Sequence, residues 1–264
     1  MLASFWKLAM TIQLGAVSYW NAKPLIYGLD REPHLRLQLA APSRLADLLR
    51  AGELDAGLIP VAAAFTHDDY EIMHSTCIAS DGPVASVLVV LLQPLARARV
   101  IGLDTASRTS RLLAQIILRR RIDTALTFID FNVQQDQGRV PVDAFLVIGD
   151  AALAFRGAAT VMDLGEEWRR LTGLPFVYAG WLARRNAKLA GLVAHLQQAY
   201  RDGAAHLDDI LAPLPAAARP AMREYLTRHI QYEFTPRHRE GLAEFHRLAL
   251  ADGLLTAPAG SPRA

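Results

Sequence analysis

The amino-acid sequence predicts an α/β protein in which two lobes enclose a ligand cleft. Three observations lead to this prediction: apolar strands alternate with helical segments, two long apolar strands interrupt that alternation, and the last third of the chain has helical patterning. With 264 residues, of which 52% are hydrophobic and 20% charged, the chain is long enough for two cores of about 100–150 residues each. A single doubly wound domain is the alternative.

The first strand–helix–strand unit occupies residues 12–61. Leu35, Leu37 and Leu39 alternate with polar residues, which is typical of a strand with one buried face. The leucines that follow have helical spacing up to Gly52. Strands are therefore expected at 12–17, 35–39 and 56–61, and the helix between the last two implies parallel pairing.

The alternation restarts after Pro94. Strands are expected at 100–103, 125–129 and 144–148, with a helix over 112–120. The long apolar runs at 85–92 and 176–183 are predicted to cross between the lobes. The predicted lobes are therefore 12–92 together with 182–264, and 95–180, while 1–11 and 257–264 are predicted to be loose ends.

Composition and charge argue against several classes of protein. The net charge is +2 and no nucleic-acid-binding motif is present, so no nucleic-acid partner is expected. Cys77 is the single cysteine and the eight histidines show no metal-binding spacing, so neither an internal disulfide, a metal nor any other cofactor is expected. No run approaches the roughly 20 apolar residues of a membrane helix, and no export signal opens the chain. A cytoplasmic protein is therefore expected, and the sequence leaves a monomer and a homodimer open.

The strongest indication of a ligand site is the polar run that follows the strand at 100–103 and opens the next helix. Ser107, Arg108, Thr109 and Ser110 bring hydroxyls and a guanidinium to the free N–H groups and positive dipole of a first helical turn. A helix N-cap alone accounts for one hydroxyl but not for this set. Because no glycine-rich phosphate loop is present, a small carboxylate is the expected ligand.

Three further polar clusters follow apolar strands, where a ligand in a cleft would be met. They are Ser18, Tyr19 and Asn21 after the first strand, Ser80 and Ser86 around a Gly-Pro turn, and Asp150 after the strand at 144–148. Each has a structural alternative. A generic loop can carry the first cluster, a serine at a strand start is often a structural hydroxyl, and a helix cap accounts for Asp150 equally well.

Eight short blocks of the sequence occur in an order that is typical of one enzyme family. They are GAVSYWNAKPL at 15–25, PSRLA at 42–46, GLIPV at 57–61, SDGPVASV at 80–87, DTASRTS at 104–110, GDAAL at 149–153, DLGEEW at 163–168 and TGLPFVYA at 172–179. Together they resemble the chorismate dehydratase family of the futalosine route to menaquinone. Several blocks in one order are far more specific than any single loop.

The resemblance implies a fold similar to that of the type II periplasmic solute-binding proteins, with the ligand cleft between two lobes. It implies that chorismate is the substrate, that loss of water gives 3-[(1-carboxyvinyl)oxy]benzoate, and that no cofactor takes part. Asn21 and Ser86 fall on the positions that the family uses for catalysis, and Trp20 replaces a smaller aliphatic residue that is more usual there. Substrate-binding residues are expected at Ser18, Tyr19, Ser43, Arg44, Ser80, Ser107, Arg108, Thr109, Ser110 and Asp150.

The motifs contain no histidine or glutamate that is placed to act as a general base. The substrate's own enolpyruvyl carboxylate is therefore predicted to take the proton from C3, positioned by Ser86 and Asn21. Two other functions stay open. One is a solute-binding protein for an aromatic or dicarboxylic anion, and the other is the sister 1,4-dihydroxy-6-naphthoate synthase, whose opening Ser-Pro-x-x-Asn-Asp type of motif is not found here.

Overall fold

The computed structural model describes residues 11–66, 69–122, 125–157, 160–185, 187, 189 and 191–255, and of Ser43 only the backbone. The strands are β1 (Ile12–Ala16), β2 (Leu35–Leu39), β3 (Ala56–Pro60), β4 (Tyr70–Ser80), β5 (Val87–Leu91), β6 (Val100–Asp104), β7 (Thr127–Phe131), β8 (Ala144–Ile148), β9 (Thr160–Asp163), β10 (Phe176–Arg184) and β11 (Gln231–Glu233). The helices are α1 (Pro42–Ala51), α2 (Ala63–Thr66), α3 (Arg108–Arg121), α4 (Val133–Asp136), α5 (Gly149–Ala154), α6 (Leu164–Thr172), α7 (Leu192–Ala205), α8 (Leu207–Leu211), α9 (Arg219–Glu224) and α10 (Pro236–Ala251).

Shorter helical turns complete the description. Turns of 3₁₀ type lie at Trp20–Leu25, Leu29–Arg31, Leu95–Arg97 and Ala216–Ala218, and a π-helical turn lies at Tyr225–His229. Within the described ranges, no helix combines the length and the apolar character that crossing a bilayer requires.

The first sheet has six strands in the order β11-β4-β10-β3-β1-β2. β1 pairs in parallel with both β2 and β3. The two strands that flank α1 are thus parallel, as the unit at 12–61 predicts, but they are not paired with each other, because β1 lies between them. Between β1 and β3, helix α1 begins at Pro42, where a missing N–H is tolerated, and ends at Gly52 in the left-handed conformation (φ 76°). β10 is antiparallel to β3 and β4, and β11 is antiparallel to β4. Of the alternating leucines of the edge strand β2, Leu35 is buried but Leu39 is exposed, so the predicted buried face extends over only part of it.

The second sheet has five strands in the order β7-β6-β8-β5-β9. β6 pairs in parallel with β7 and β8, which agrees with the strand–helix alternation predicted after Pro94. β5 is antiparallel to both β8 and β9.

Both crossings between the sheets differ from the predicted lobe boundaries. The prediction places 85–92 with the first lobe, whereas β5 pairs with β8 and β9 in the second sheet. It ends the second lobe at residue 180, whereas β10 pairs from its first residue, Phe176, within the first sheet. The reason is physical: a fully buried strand is apolar on both faces, and that pattern does not reveal its partners. Apart from Thr11, the predicted loose ends lie outside the described residues.

A fully buried tryptophan joins the helices behind β10 to the strand. Trp168 on α6 packs edge-on against Phe176 of β10 and Phe245 of α10, with ring centroids 5.1 and 6.1 Å away. Its indole Nε1 donates to the carbonyl of Pro175 over 3.2 Å, so the buried N–H is satisfied. This packing holds α6 and α10 behind β10, a strand whose Tyr178 and Ala179 line the cleft described below.

Candidate functional site

A cleft lies between the two sheets, beyond the carboxyl ends of β1, β3, β6 and β8. Its empty volume, which includes space open to solvent, is about 500 Å³. It is lined by Val17, Tyr19, Asn21, Pro42, Pro60, Ile78, Ser86, Val87, Ser107, Ser110, Ile148, Gly149, Tyr178 and Ala179. Parallel strands direct their carboxyl ends to one edge of a sheet, so the loops that follow them converge on a ligand site there.

The described lining of the cleft carries no charged side chain. None of its residues is Asp, Glu, His, Lys or Arg, and its polar side chains are Tyr19, Asn21, Ser86, Ser107, Ser110 and Tyr178. Burial raises the pKa of Tyr19 and raises that of Tyr178 well above its usual value of 10. The described lining is therefore neutral at physiological pH, and a charged ligand in this cleft would be met by hydrogen-bonding groups and helix dipoles rather than by a charged side chain.

Three buried side chains form a hydrogen-bonded chain at one wall of the cleft. The amide Nδ2 of Asn21 donates to the hydroxyl of Tyr225 over 2.9 Å, and that hydroxyl donates to Oγ of Ser86 over 2.9 Å. Asn21 and Ser86 line the cleft, whereas Tyr225 is buried and does not. The two residues that the sequence resemblance marks as catalytic are thus joined through a third.

Nothing in the sequence marks Tyr225 as a site residue. It begins the π-helical turn, 139 positions from Ser86 and 204 from Asn21, beyond all eight sequence blocks. The sequence predicts only that this region is helical. Burial raises the pKa of Tyr225 to about 12, so its hydroxyl keeps its hydrogen at physiological pH.

The loop that delivers Ser86 is fixed by one carboxylate. Asp163, at the end of β9, accepts hydrogen bonds from the backbone N–H groups of Val84 at 3.0 Å and of Ala85 at 2.7 Å. Ala85 has a φ of 61°, the left-handed region that non-glycine residues rarely adopt. Asp163 also caps α6 through the N–H groups of Gly165 and Glu166. The carboxylate of Asp163 therefore anchors both the loop before Ser86 and the start of α6.

Ser80, predicted to bind substrate, instead supports a residue of the cleft wall. Its hydroxyl donates to the carbonyl of Gly82 over 3.0 Å and lies 3.1 Å from the hydroxyl of Tyr178. Ser80 is buried and is not among the lining residues, whereas Tyr178 is.

The first turn of α3 reaches the cleft with two of the predicted hydroxyls. Oγ of Ser107 accepts from the N–H of Ser110 over 3.2 Å and donates to Oγ of Ser110 over 3.1 Å. Both side chains are buried and line the cleft. The positive end of α3 favours an anion at this place, by up to about 2 kcal/mol when partly buried. The predicted carboxylate site therefore has Ser107 and Ser110 at the cleft wall.

Thr109 points away from the cleft, contrary to its predicted role in binding. Its side chain is fully buried, and its Oγ1 accepts a hydrogen bond from the backbone N–H of Ala62 over 3.0 Å. Successive residues of a helix face different directions, so the neighbours of Ser110 cannot all reach one ligand. Thr109 links α3 of the second sheet to the segment after β3 of the first.

Replacing Thr109 by valine is expected to destabilise the protein by about 1–3 kcal/mol, because the N–H of Ala62 loses its acceptor while staying buried. Urea denaturation would measure the change, and Thr109→Ser, which keeps the hydroxyl, is the matched control. Equal stability of the wild-type and valine proteins would contradict the bridging role.

Arg108 is exposed at the start of α3 and is absent from the cleft lining, whereas the sequence predicts it as a carboxylate ligand. An exposed arginine is worth at most about 1 kcal/mol to a nearby anion. We therefore expect Arg108→Ala to change the Michaelis constant by no more than about fivefold, and Ser107→Ala to change it more. Steady-state kinetics of both variants would test this expectation. A larger change of the Michaelis constant in Arg108→Ala than in Ser107→Ala would show that Arg108 binds the substrate.

Asp150 does not line the cleft but links α5, which follows β8 of the second sheet, to the segment that follows β1 of the first sheet. Its Oδ1 accepts from the backbone N–H of Trp20 over 3.2 Å, which joins α5 to the 3₁₀ turn Trp20–Leu25. Burial raises the pKa of Asp150, and the nearby Lys23 opposes this. Tyr19 lines the cleft beside Gly149, where a Cβ atom would lie 3.2 Å from the tyrosine ring.

Three further predicted residues do not contribute described contacts to the cleft. Ser18 and Arg44 are exposed and are not among its lining residues. The side chain of Ser43 lies outside the described part of the structure. Ser18 and Arg44 thus belong to blocks that resemble the family without lining the cleft.

One group of described residues could hold a metal ion, although the sequence predicts no metal site. The ligand atoms of Glu32, His34 and His195 lie within 4.8 Å of one another. None of the three lines the cleft, so the chemistry of the cleft does not depend on them.

Solved structures of similar fold include a protein from Archaeoglobus fulgidus, with a TM-score of 0.74 at 15% identity over 92% of this chain and 98% of that one. The alkanesulfonate-binding protein SsuA from Xanthomonas axonopodis pv. citri has a TM-score of 0.65 at 18% identity over 94% of each chain. The periplasmic aliphatic sulphonate binding protein SsuA from Escherichia coli has a TM-score of 0.62 at 16% identity, also over 94% of each chain. The predicted periplasmic-binding-protein-like fold is confirmed.

Two sequence comparisons bear on the family. A chorismate dehydratase from Thermus thermophilus is 28% identical in an alignment 261 positions long, which covers 90% of this chain and 92% of that protein. The model of a family described as menaquinone biosynthesis matches residues 12–251. The match spans both sheets and every residue of the cleft, and the chain therefore belongs to the menaquinone biosynthesis family.

Proposed function

We propose that this protein is a chorismate dehydratase, which removes water from chorismate to give 3-[(1-carboxyvinyl)oxy]benzoate. The observation that carries the proposal is the neutral cleft that is lined both by the start of α3 and by the Asn21–Ser86 pair. The similarity to the Thermus thermophilus chorismate dehydratase supports the same reaction.

The reaction removes the proton on C3 and the hydroxyl on C4, which leave together as water while the ring becomes aromatic. The C3 proton is vinylogous to the ring carboxylate, so negative charge spreads onto that carboxylate as the C–H bond breaks. Ser107, Ser110 and the dipole of α3 form the part of the cleft that suits an anion. Held there, the ring carboxylate would be stabilised most when its charge is greatest.

The proton needs an acceptor, and the described cleft lining offers no carboxylate, imidazole or amine. The enolpyruvyl group on C3 carries its own carboxylate, which is close to the C3 proton in the same molecule. In this mechanism that carboxylate takes the proton and passes it to the departing C4 hydroxyl. The protein's part is to hold the two groups in a reactive arrangement, which in intramolecular reactions supplies as much as about 7–11 kcal/mol.

Incubation of the purified chain with chorismate, followed by mass spectrometry, tests the proposal. We expect loss of 18 mass units, one water, and formation of the enolpyruvyl benzoate. Calorimetry on the same sample separates the alternatives: binding of chorismate without turnover favours a solute-binding protein for carboxylates. Consumption of a cyclic futalosine derivative, with chorismate untouched, favours the sister 1,4-dihydroxy-6-naphthoate synthase.

A further inference from the structure

We propose that Tyr225 is a positioning residue that sets the hydrogen-bond polarity of the cleft. Through Tyr225, Ser86 presents its hydroxyl hydrogen to an acceptor group of the ligand, and Asn21 presents its Oδ1 to a hydroxyl of the ligand. The assignment of these places to parts of chorismate rests on the proposed function.

The polarity follows from counting hydrogens. The Asn21 amide nitrogen can only donate, so the Tyr225 oxygen accepts at that contact. The single hydroxyl hydrogen of Tyr225 then goes to Oγ of Ser86, 2.9 Å away. Since Oγ of Ser86 accepts from Tyr225, the serine's own hydrogen must go elsewhere, and the cleft that Ser86 lines is the open side.

Asn21 offers the complementary group, a hydrogen-bond acceptor. Its Oδ1 is buried and has no hydrogen-bond partner among the described residues, although its Nδ2 is satisfied by Tyr225. Burying an amide oxygen without a hydrogen-bond donor costs about 1–3 kcal/mol. In native proteins such an atom is usually satisfied by a ligand or by an ordered water. Because Asn21 lines the cleft, a ligand hydroxyl is a suitable donor.

The turn that carries Tyr225 also holds the loop that carries Ser86. Nδ1 of His229, at the other end of the π-helical turn, lies 3.1 Å from the carbonyl oxygen of Pro83. A carbonyl can only accept, so His229 donates. Single π-helical turns are frequent at functional sites, because they shift the side chains out of helical register. The contact of His229 with Pro83 and that of Tyr225 with Ser86 together hold the π-helical turn against this loop.

For chorismate, an acceptor and a hydroxyl lie on adjacent ring carbons. The enolpyruvyl carboxylate on C3 is the acceptor that suits Ser86, and the C4 hydroxyl is the donor that suits Asn21. The ligand class that the cleft recognises is therefore a carboxylate next to a hydroxyl on a small ring.

Tyr225→Phe removes the shared hydrogen bonds but keeps the ring, and Tyr232→Phe is the matched control. Tyr232 is also buried, and its hydroxyl has no hydrogen-bond partner in the described part of the chain. We expect the turnover of Tyr225→Phe to fall about 10–100-fold while its Michaelis constant changes little, since the contacts act mainly in the transition state. Turnover equal to that of the control would overturn the proposal.

A second readout does not need turnover. With ¹³C-labelled tyrosine, the Cζ resonance of Tyr225, assigned from its loss in Tyr225→Phe, reports on the hydrogen bonds of its hydroxyl. It should move in Ser86→Ala and in Asn21→Ala but stay in place in Ser18→Ala. A resonance unmoved by both cleft substitutions would overturn the proposal even if the wild-type protein dehydrates chorismate. If the wild type does not consume chorismate, the proposed function fails while this test still decides on Tyr225.

Discussion

Substitution of Ser86 by alanine is expected to lower the turnover of chorismate about 100-fold or more, with substrate binding nearly unchanged. Asn21→Ala should have a similar effect. Neither side chain ionises near neutral pH, so in the proposed mechanism both would act by holding groups of the substrate as charge develops. Their contacts therefore matter more in the transition state than in the bound substrate.

Single-turnover kinetics and calorimetry on the same variants separate the two effects. Ser18→Ala is the control, because Ser18 is exposed and does not line the cleft. Wild-type turnover in either variant would remove that residue from the mechanism. Loss of substrate binding without loss of turnover would show that the residue only shapes the cleft.

Replacement of Asp163 by alanine should lower both stability and turnover. Its carboxylate accepts from the N–H groups of Val84 and Ala85 in the Ser86 loop and caps α6. We expect the free energy of unfolding to fall by about 2–4 kcal/mol, the sum of a lost helix cap and unpaired loop amides. The freed loop would also leave its left-handed conformation at Ala85 and displace Ser86, so kcat should fall in the protein that remains folded.

Asp143 supplies a matched control for this variant. Its carboxylate accepts from the N–H groups of Arg99 and Val100, at 2.7 and 2.8 Å, but Asp143 does not line the cleft. These bonds lower the pKa of Asp143. Asp143→Ala should therefore lose stability in urea denaturation and keep its turnover per folded molecule. If Asp163→Ala behaved in the same way, the loop anchor would have no catalytic consequence.

The sequence predicts most of the strands because their apolar patterns are local. The parallel orientation of β2 and β3 follows from the spacing of the strand–helix–strand unit, but the position of β1 between them does not. The sheet to which β5 and β10 belong does not follow, because strands buried on both faces look alike wherever they pair. β4 shows no regular alternation in its first five residues and is continuously buried in its last six, so it has no single period that predicts a strand.

The residues of the candidate site, too, are predicted only in part by the sequence. The motif order marks Asn21 and Ser86, and the structure joins them. Of the four neighbouring residues at the start of α3, Ser107 and Ser110 line the cleft whereas Arg108 and Thr109 do not, because the helical rotation of about 100° per residue turns them elsewhere. Tyr225 comes from a distant turn, and only the folded chain brings it to the other two.

The dependence of kcat/KM on pH, with chorismate as substrate, tests most directly whether a neutral cleft carries out this dehydration. The pKa values of Tyr19 and Tyr178 are raised by burial and that of Tyr225 to about 12, so all three stay protonated below pH 9 to 10. Asp104 and Asp150, whose pKa values burial also raises, do not line the cleft. Carboxylates of the substrate, with pKa values of about 4, stay ionised above pH 6. The account predicts product formation at a constant kcat/KM between about pH 6 and pH 9. Absence of product at every pH, or a limb with a midpoint between about 6 and 8 that reveals an ionising base or acid of the protein, would contradict it.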